Sequence, residues 1–370
     1  MGSVTPYETA GGRRYRVRYR TPDRRQTDKR GFRTKREAEI FLASVEVAKA
    51  RGEFVQPADA RETIGALGVP WLANQAHLKP SSLRPLEIAW RLYVEPRWGA
   101  RKVSEIRHSD VQTWVSDLSR NRGATTVLRV YGVLASILDV AVKDRRLLSN
   151  PARGVNLPRK GRKEHVYLTH EQVSTLALAA GERGTLVLVL AYCGLRWGEA
   201  VGLRAKDVDL VRRRINVSVN AVEVGDRIEV GTPKSHKRRS VPFPALLTVP
   251  LSQRVEGRLP EDLVFGGQHG THQRRSHNEH GWFPAAVTRA GLPPLTPHSL
   301  RHTAASLAVS AGANVKAVQR MLGHASASMT LDVYSDLFDD DLDAVAGRLD
   351  EGLAKTVVGK LWAERESGDA

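Results

Sequence analysis

GANVKAVQRMLGHASASMTLDVYSDL, running from Gly312 to Leu337, is the stretch from which the rest of the chain can be read. Asn314 has the side chain to cap a helix, and Gly323 is placed to end it. His324 then stands just beyond the helix end, with its ring able to reach a ligand, a geometry that suits a phosphate donor. Tyr334 follows. A phenol with an unperturbed pKa of ~10 is a weak nucleophile at neutral pH, but it needs no cofactor once it is aimed and surrounded by cations. The stretch therefore offers a phosphate ligand and a nucleophile close together in sequence.

Three further motifs supply what such a nucleophile requires. In HSLRH, His298 and Arg301 are three residues apart on one helical face, so both can point at one phosphate, and His298 is placed for proton transfer. In CGLRWGEA stands Arg196. Breaking a phosphodiester builds negative charge around phosphorus, and planar guanidinium groups such as Arg196 and Arg301 stabilise it bidentately without a metal. In GTPKSHKRRSVP, Lys234 reads as a flexible side chain at a hairpin tip, able to enter a DNA minor groove and protonate a leaving 5′ oxygen. Glu199, three residues after Arg196, has the chemistry of a general base, but it more simply orients that arginine. Alone, each of these residues would be an ordinary surface charge. Together, in this order and each in its own local frame, they specify one reaction.

Composition agrees with a polyanionic partner. The chain carries 57 Lys plus Arg against 40 Asp plus Glu, a formal charge of +17, which favours nucleic acid. A membrane surface is the rival. No apolar run is expected to approach the roughly 18 residues of a spanning helix, and the start MGSVTPYETAGGRR lacks a signal-peptide core, so a soluble, intracellular (cytoplasmic) protein is expected. Cys193 is the single cysteine, which leaves no intramolecular disulfide and no Cys-rich zinc module. His269, His272, His277 and His280 have pairwise metal-like spacing, but Gly270, Arg274, Arg275 and Asn278 between them read as a loop beside DNA, with Arg274 and Arg275 as contacts and no metal. No cofactor is implied.

At 370 residues, roughly 100 to 200 per domain gives two or three domains. In GGRRYRVRYRTPDRRQTDKRGF, Tyr15, Val17 and Tyr19 share one strand face while Arg14, Arg16, Arg18 and Arg20 take the other. Such dense one-sign charge, with Arg24 and Arg25 in the turn beyond, repels itself unless a polyanion is bound. Thr34 with Glu37 predicts a helix start, Ala38, Phe41, Leu42 and Val45 its buried stripe, and Gly52 its end. From Thr63 to about Leu157 the pattern is wholly helical. Ser109 and Gln112 are read as capping one segment, with Val111, Trp114, Val115 and Leu118 as its stripe, and Leu134, Ile137, Leu138 and Ala141 form another. Trp71, Trp90, Trp98 and Trp114 fall at apolar positions and are assigned to packing. NPARGVNLPRKGRKEH, residues 150–165, reads as a linker along DNA, with Lys160 and Arg162 as contacts. Beyond it, Thr169 and Gln172 open a helix, Leu186 to Ala191 continue a helical core, and RINVSVNAVEVGDRIEV reads as paired strands turning at Gly225 and Asp226.

The ordered set Arg196, Lys234, His298, Arg301, His324 and Tyr334 resembles the active-site signature of the tyrosine recombinase, or phage integrase, family, and none of these positions departs from it. The resemblance implies that Tyr334 forms a 3′-phosphotyrosine. Arg196, Arg301 and His324 would hold the phosphate, Lys234 would act as acid, His298 would assist proton transfer, and Glu199 would support Arg196. It also implies a multidomain, mainly α chain with small sheets. A three-stranded sheet plus helix over 1–55 resembles the arm-binding module of lambda-type integrases. A helical core-binding domain would span 62–157, a linker 158–166, a mixed α+β catalytic domain 167–350, and a tail or helix 351–370. Implied partners are duplex DNA at core and arm sites, a homotetramer on synapsed DNA, a host DNA-bending protein and a directionality factor. A conjugative-element integrase stays open beside the phage reading. The basic module disfavours a compact chromosome-dimer resolvase. A catalytically silent DNA-binding regulator would be favoured by a missing phosphate ligand or nucleophile.

Overall fold

The computed structural model describes residues 2–22, 24–56, 58–161, 165–233, 238–267, 270–275, 281–328, 330–331, 349–350 and 352–353. The chain divides into two compact units, Met1–Arg162 and Lys163–Ala370.

The first unit opens with strands β1 (Ser3–Thr9), β2 (Gly12–Arg20) and β3 (Gln26–Phe32), an antiparallel sheet with β2 in the middle, followed by helix α1 (Lys35–Ala50). Alternation along β2 works as the sequence predicts. Val17 and Tyr19 are buried against Ala38, Val45 and Phe54, with Tyr15, Phe41 and Leu42 packed around them. The β2–β3 register shifts at Tyr15/Arg16, where Gly31 takes a φ of 97° on the facing strand. Thr34 Oγ1 caps α1 by accepting from the Glu37 amide at 3.1 Å, while the Glu37 carboxylate accepts from the Arg33 amide at 3.0 Å.

A helical lobe follows, comprising α2 (Ile64–Ala73), α3 (Pro80–Ala89), α4 (Glu95–Trp98), α5 (His108–Asn121) and α6 (Ala124–Lys143). A π-helical turn, Trp90–Val94, joins α3 to α4. All four tryptophans serve packing. Trp98 is fully buried and meets Trp114 edge-on at 5.5 Å; Trp90 is buried and Trp71 packs at the margin.

Two expectations are corrected here. Helix α5 starts one residue earlier than Ser109, with Arg107 as its cap residue and the Asp110 carboxylate accepting from the Arg107 amide at 3.4 Å. Gln112 does not cap; its amide group accepts from and donates to the Asn156 backbone at 2.8 and 3.3 Å. Helix α6, contrary to the sequence expectation, is long and apolar enough to span a membrane, with 20 residues and mean hydropathy 1.6 over its best window. Half of that window is buried within the lobe, where Val127, Val130, Leu134, Ile137 and Leu138 form the core against α2, α3 and α5. Part of the Pro/Gly-rich stretch also folds onto α6. Asn150 donates to the Ala135 carbonyl and to Asp139, and Tyr131 donates to the Ala152 carbonyl at 2.7 Å.

The second unit contains helices α7 (His170–Ala179), α8 (Gly184–Cys193) and α9 (Trp197–Val201). Strands β4 (Val208–Asp209), β5 (Arg214–Val217), β6 (Asn220–Val224), β7 (Arg227–Gly231) and β8 (Arg239–Pro242) follow. Helices α10 (Thr248–Val255), α11 (Trp282–Arg289), α12 (Pro297–Ser310) and α13 (Val315–Leu322) come last. Helix α8 is apolar on nearly all sides because α7 and α12 cover it. Thr169 and Gln172 close a reciprocal capping box on α7. The paired-strand reading holds for β6 and β7, which turn at Gly225 with a φ of 69°. Strand β5 instead joins a second sheet in the order β4-β5-β8. Strands β7 and β8 therefore belong to different sheets, and Lys234, expected at a hairpin tip, lies outside the described residues.

Candidate active site

The site is assembled where α13 ends. Asn314 Oδ1 accepts from the Ala317 amide at 2.9 Å and starts the helix; Gly323 stops it with a φ of 67°. The last turn of a helix leaves carbonyls without intrahelical partners and carries the negative end of the helix dipole. Here three successive carbonyls each accept from a guanidinium group. Met321 O accepts from Arg239 Nε at 3.0 Å, Leu322 O from Arg301 Nη2, and Gly323 O from Arg196 Nη2 at 3.5 Å.

Each arginine arrives on a different element. Arg301 lies on α12, is 2% exposed, and also donates to the Gly194 carbonyl at the end of α8. Glycine suits position 194 for two reasons: its φ is 61°, and a Cβ there would stand 2.6 Å from Leu322 Cδ2. Arg196 precedes α9. Its amide and Nη1 donate to the two oxygens of Glu199 at 2.8 and 3.0 Å. Arg239, at the start of β8, donates through both terminal nitrogens to the same carboxylate at 2.9 and 2.6 Å. Burial alone would push the Glu199 carboxyl up, but the Arg239 hydrogen bonds and charge, and then those of Arg196, hold it below the usual carboxylate range. Glu199 therefore serves two arginines.

The histidines complete the cluster. The His324 backbone is held through Gln319, and its Nδ1 lies 3.0 Å from the hydroxyl of buried Thr330. Burial, followed by the charges of Arg301, Arg196 and Arg239, pushes His324 down to about 4. His298 stands at the surface at the start of α12, and partial desolvation of its ring by the surrounding protein, followed by the charges of Arg301, Arg275 and Arg196, lowers it as well. Its ring meets His302 edge-on at 5.0 Å, and His302 packs on His165 at 4.1 Å. Burial, then His165 and His298, pushes His302 down to about 3. Burial and the neighbouring cations thus disfavour the charged form of His298, His302 and His324, and an anion bound among them would act in the opposite direction.

Of the six candidate catalytic residues, Arg196, Arg301, His298 and His324 come together. Lys234 and Tyr334 lie outside the described residues, as do Arg162, His269, His277 and His280. Arg275 is near enough to His298 to lower its pKa, whereas Arg274 is tied to Glu223 and to the Asp226 carbonyl. Lys160 is exposed at the end of the first unit's described residues. In the amino-terminal sheet Arg18, Arg20, Arg24 and Arg25 are exposed, Arg14 is half-buried, and Arg16 is half-buried within 4.0 Å of Asp28. Among the described residues no three His, Cys, Asp or Glu side chains gather as metal ligands.

Sequence reasoning missed Arg239, His302, His165 and Thr330. The second histidine of HSLRH was a usable signal, since it follows Arg301 directly; Arg239 sat unmarked in a run of basic residues. An open cavity of about 540 Å³ lies beside the end of α13, lined by Arg238, Arg239, Lys316, Arg320 and His324 among others. The arrangement can bind an anion through guanidinium and imidazole groups already fixed by protein contacts.

Residues 166–340 match the phage integrase family, and residues 7–49 match an arm DNA-binding domain. A tyrosine recombinase of Thermosipho africanus is 28% identical over 66% of this chain and 86% of its own length. The integrase of Mycobacterium phage D29 is 25% identical over 82% and 84%. The transposase of transposon Tn916 from Enterococcus faecalis is 28% identical over 79% and 81%. Among solved structures, the Tn1549 transposon integrase in complex with a circular intermediate DNA superposes with a TM-score of 0.66, at 23% identity over 78% of this chain and 99% of that one. A lambda integrase dimer bound to a COC′ core site superposes at 0.61, with 16% identity over 91% and 95%. These structural likenesses concern the fold.

Proposed function

The chain belongs to the phage integrase family of tyrosine recombinases, and from that premise we propose that its second unit cuts and rejoins duplex DNA through a covalent bond to Tyr334. The observation that carries the proposal is the cluster at the end of α13, where Arg196, Arg301 and His324 converge with His298 beside them. In this reading the two guanidinium groups and His324 hold the scissile phosphate and stabilise the charge that grows on its oxygens. The Tyr334 oxygen attacks phosphorus, and the bond from phosphorus to the 5′ oxygen breaks. Lys234 gives that oxygen a proton, and His298 assists transfer of the tyrosine proton. One phosphate ester replaces another, so rejoining is the same exchange run by a new 5′ hydroxyl.

The domain roles belong to the same proposal. Residues 1–55 would bind arm sites, 62–157 and 167–350 would clamp the core site across the linker 158–166, and 351–370 would form a tail. The arm-domain match and the basic face of β2 support the first role. The natural substrate would be the attachment site of a phage or a conjugative element; a phage integrase and the transposase of a transposon stand among the relatives. Synapsis would use a homotetramer, with a host DNA-bending protein and a directionality factor as partners.

The test is a duplex of the element's own junction, nicked so that cleavage is trapped. A denaturation-resistant protein–DNA adduct should form and should disappear in Tyr334→Phe; no adduct with the unaltered chain would sink the proposal. Slow cleavage by Lys234→Ala should be restored by a 5′-bridging phosphorothiolate, whose leaving group needs no proton.

A further inference from the structure

Arg239 is one of three arginines around the end of α13, and it has no place in the chemistry proposed above. Its side chain is 9% exposed. Two of its nitrogens meet both Glu199 oxygens and the third meets the Met321 carbonyl. A guanidinium group has five N–H donors in a fixed plane, and every Arg239 nitrogen is already turned to protein. The three donors it gives to protein fix its plane against Glu199 and the end of α13, where it is placed to hold the neighbouring groups.

The connections it makes are specific. Glu199 is the residue that fixes the Arg196 amide and side chain. Met321 O lies in the turn that carries the Leu322 carbonyl bonded to Arg301 and then leads through Gly323 to His324. Gly323 packs directly on the Arg239 guanidinium, since a Cβ there would lie 3.0 to 3.2 Å from Arg239 Cδ, Nε and Cζ. Arg239 itself stands opposite Val217 in the β4-β5-β8 sheet, so its backbone belongs to a hydrogen-bonded ladder rather than to a loop. We propose that Arg239 is a positioning residue for strand cleavage, tying the Glu199–Arg196 pair and the last turn of α13 to that sheet so that Arg196, Arg301 and His324 are set before the phosphate arrives. The proposal rests on the recombinase reading. It also states why arginine is used: a lysine ammonium cannot meet two carboxylate oxygens and a carbonyl at once with fixed planar geometry.

A plain ion pair that only stabilises the fold would lower the melting temperature and leave cleavage by the folded molecules unchanged. The two roles separate in single-turnover cleavage of the nicked duplex at saturating DNA, measured below the melting temperature of each variant. Arg239→Gln and Arg239→Lys should cleave roughly 10- to 100-fold more slowly, the range found when a residue that orients a ligand-holding side chain is lost. Their affinity for the core duplex should stay within about 3-fold of the unaltered chain, since no DNA contact is removed. Combined with Glu199→Gln, the rate losses should fall well short of multiplying, because both changes break one linkage. Gly323→Ala, which keeps every charge but pushes on the guanidinium and strains a φ of 67°, should also slow cleavage. Cleavage at the unaltered rate by Arg239→Lys, or full multiplicativity with Glu199→Gln, overturns the inference while leaving the recombinase reading intact. Absence of any adduct with the unaltered chain overturns that reading instead.

Discussion

Glu199→Gln removes one negative charge and almost no volume, and it acts on the most heavily used acceptor in the site. The Glu199 side chain is fully buried and accepts four hydrogen bonds of 2.6 to 3.0 Å, two from Arg196 and two from Arg239. Taking away one partner of a buried ion pair costs roughly 3–5 kcal/mol, because the charge left behind has lost both water and counter-charge. Arg196 is 25% exposed and can recover some hydration, and the amide oxygen still accepts from one guanidinium group. The lower end, about 3 kcal/mol, is therefore expected. At about 2–4 °C per kcal/mol for a unit of this size, the second unit should melt roughly 6–12 °C lower at pH 7. Scanning calorimetry of the intact chain measures it. The sign of the pH dependence follows from the lowered Glu199 pKa. The carboxylate contributes its stability above the ordinary carboxyl pKa of 4.5 and loses it as pH falls through the lowered value, so the difference between the two proteins should close in acid. A loss of less than about 1 kcal/mol at pH 7, or a difference unchanged down to pH 3, would refute the reasoning.

His302 and His324, pushed down to about 3 and about 4, stay neutral in the fold at pH values where the unfolded chain takes up protons. The second unit should therefore lose stability as pH falls from about 6.5 toward 4, and His302→Phe should flatten that fall in thermal melts. Gly194→Ala should destabilise the second unit and slow cleavage, since the new methyl group both strains a φ of 61° and strikes Leu322 beside the Arg301 anchor; an unchanged melting point and rate would contradict this. Trp98→Ala should cost the helical lobe roughly 3–5 kcal/mol in denaturant titration, as expected when a fully buried aromatic is removed. Removing residues 1–62 should abolish binding to arm-site DNA while core cleavage remains detectable, and the full chain's arm binding should weaken steeply with salt as released counterions require.

Local features were legible in the chain because covalent reach decides them. Thr34, Thr63, Thr169 and Asn314 each cap a helix by a bond to an amide three residues ahead, and the alternation of Tyr15, Val17 and Tyr19 sorts β2 into a buried and a basic face. The same locality set a limit. Ser109 has a capping side chain, yet Arg107 holds that position, because Asp110 bonds back to the Arg107 amide and Gln112 has a better partner in Asn156. Helix α6 reads by composition like a membrane span and is buried by neighbours that no window along the sequence contains.

The active-site motifs stand in the sequence as separate signals, and nothing in their spacing says how they are held together. Arg239 reaches Glu199 across 40 positions, Arg301 reaches Gly194 across 107, and Arg196 reaches Gly323 across 127. Chemical type and local frame, which identified Arg196, Arg301, His298 and His324, are written residue by residue. The meeting of three guanidinium groups with three consecutive carbonyls depends on how α8, α12, α13 and β8 pack, and packing is settled by the whole core at once.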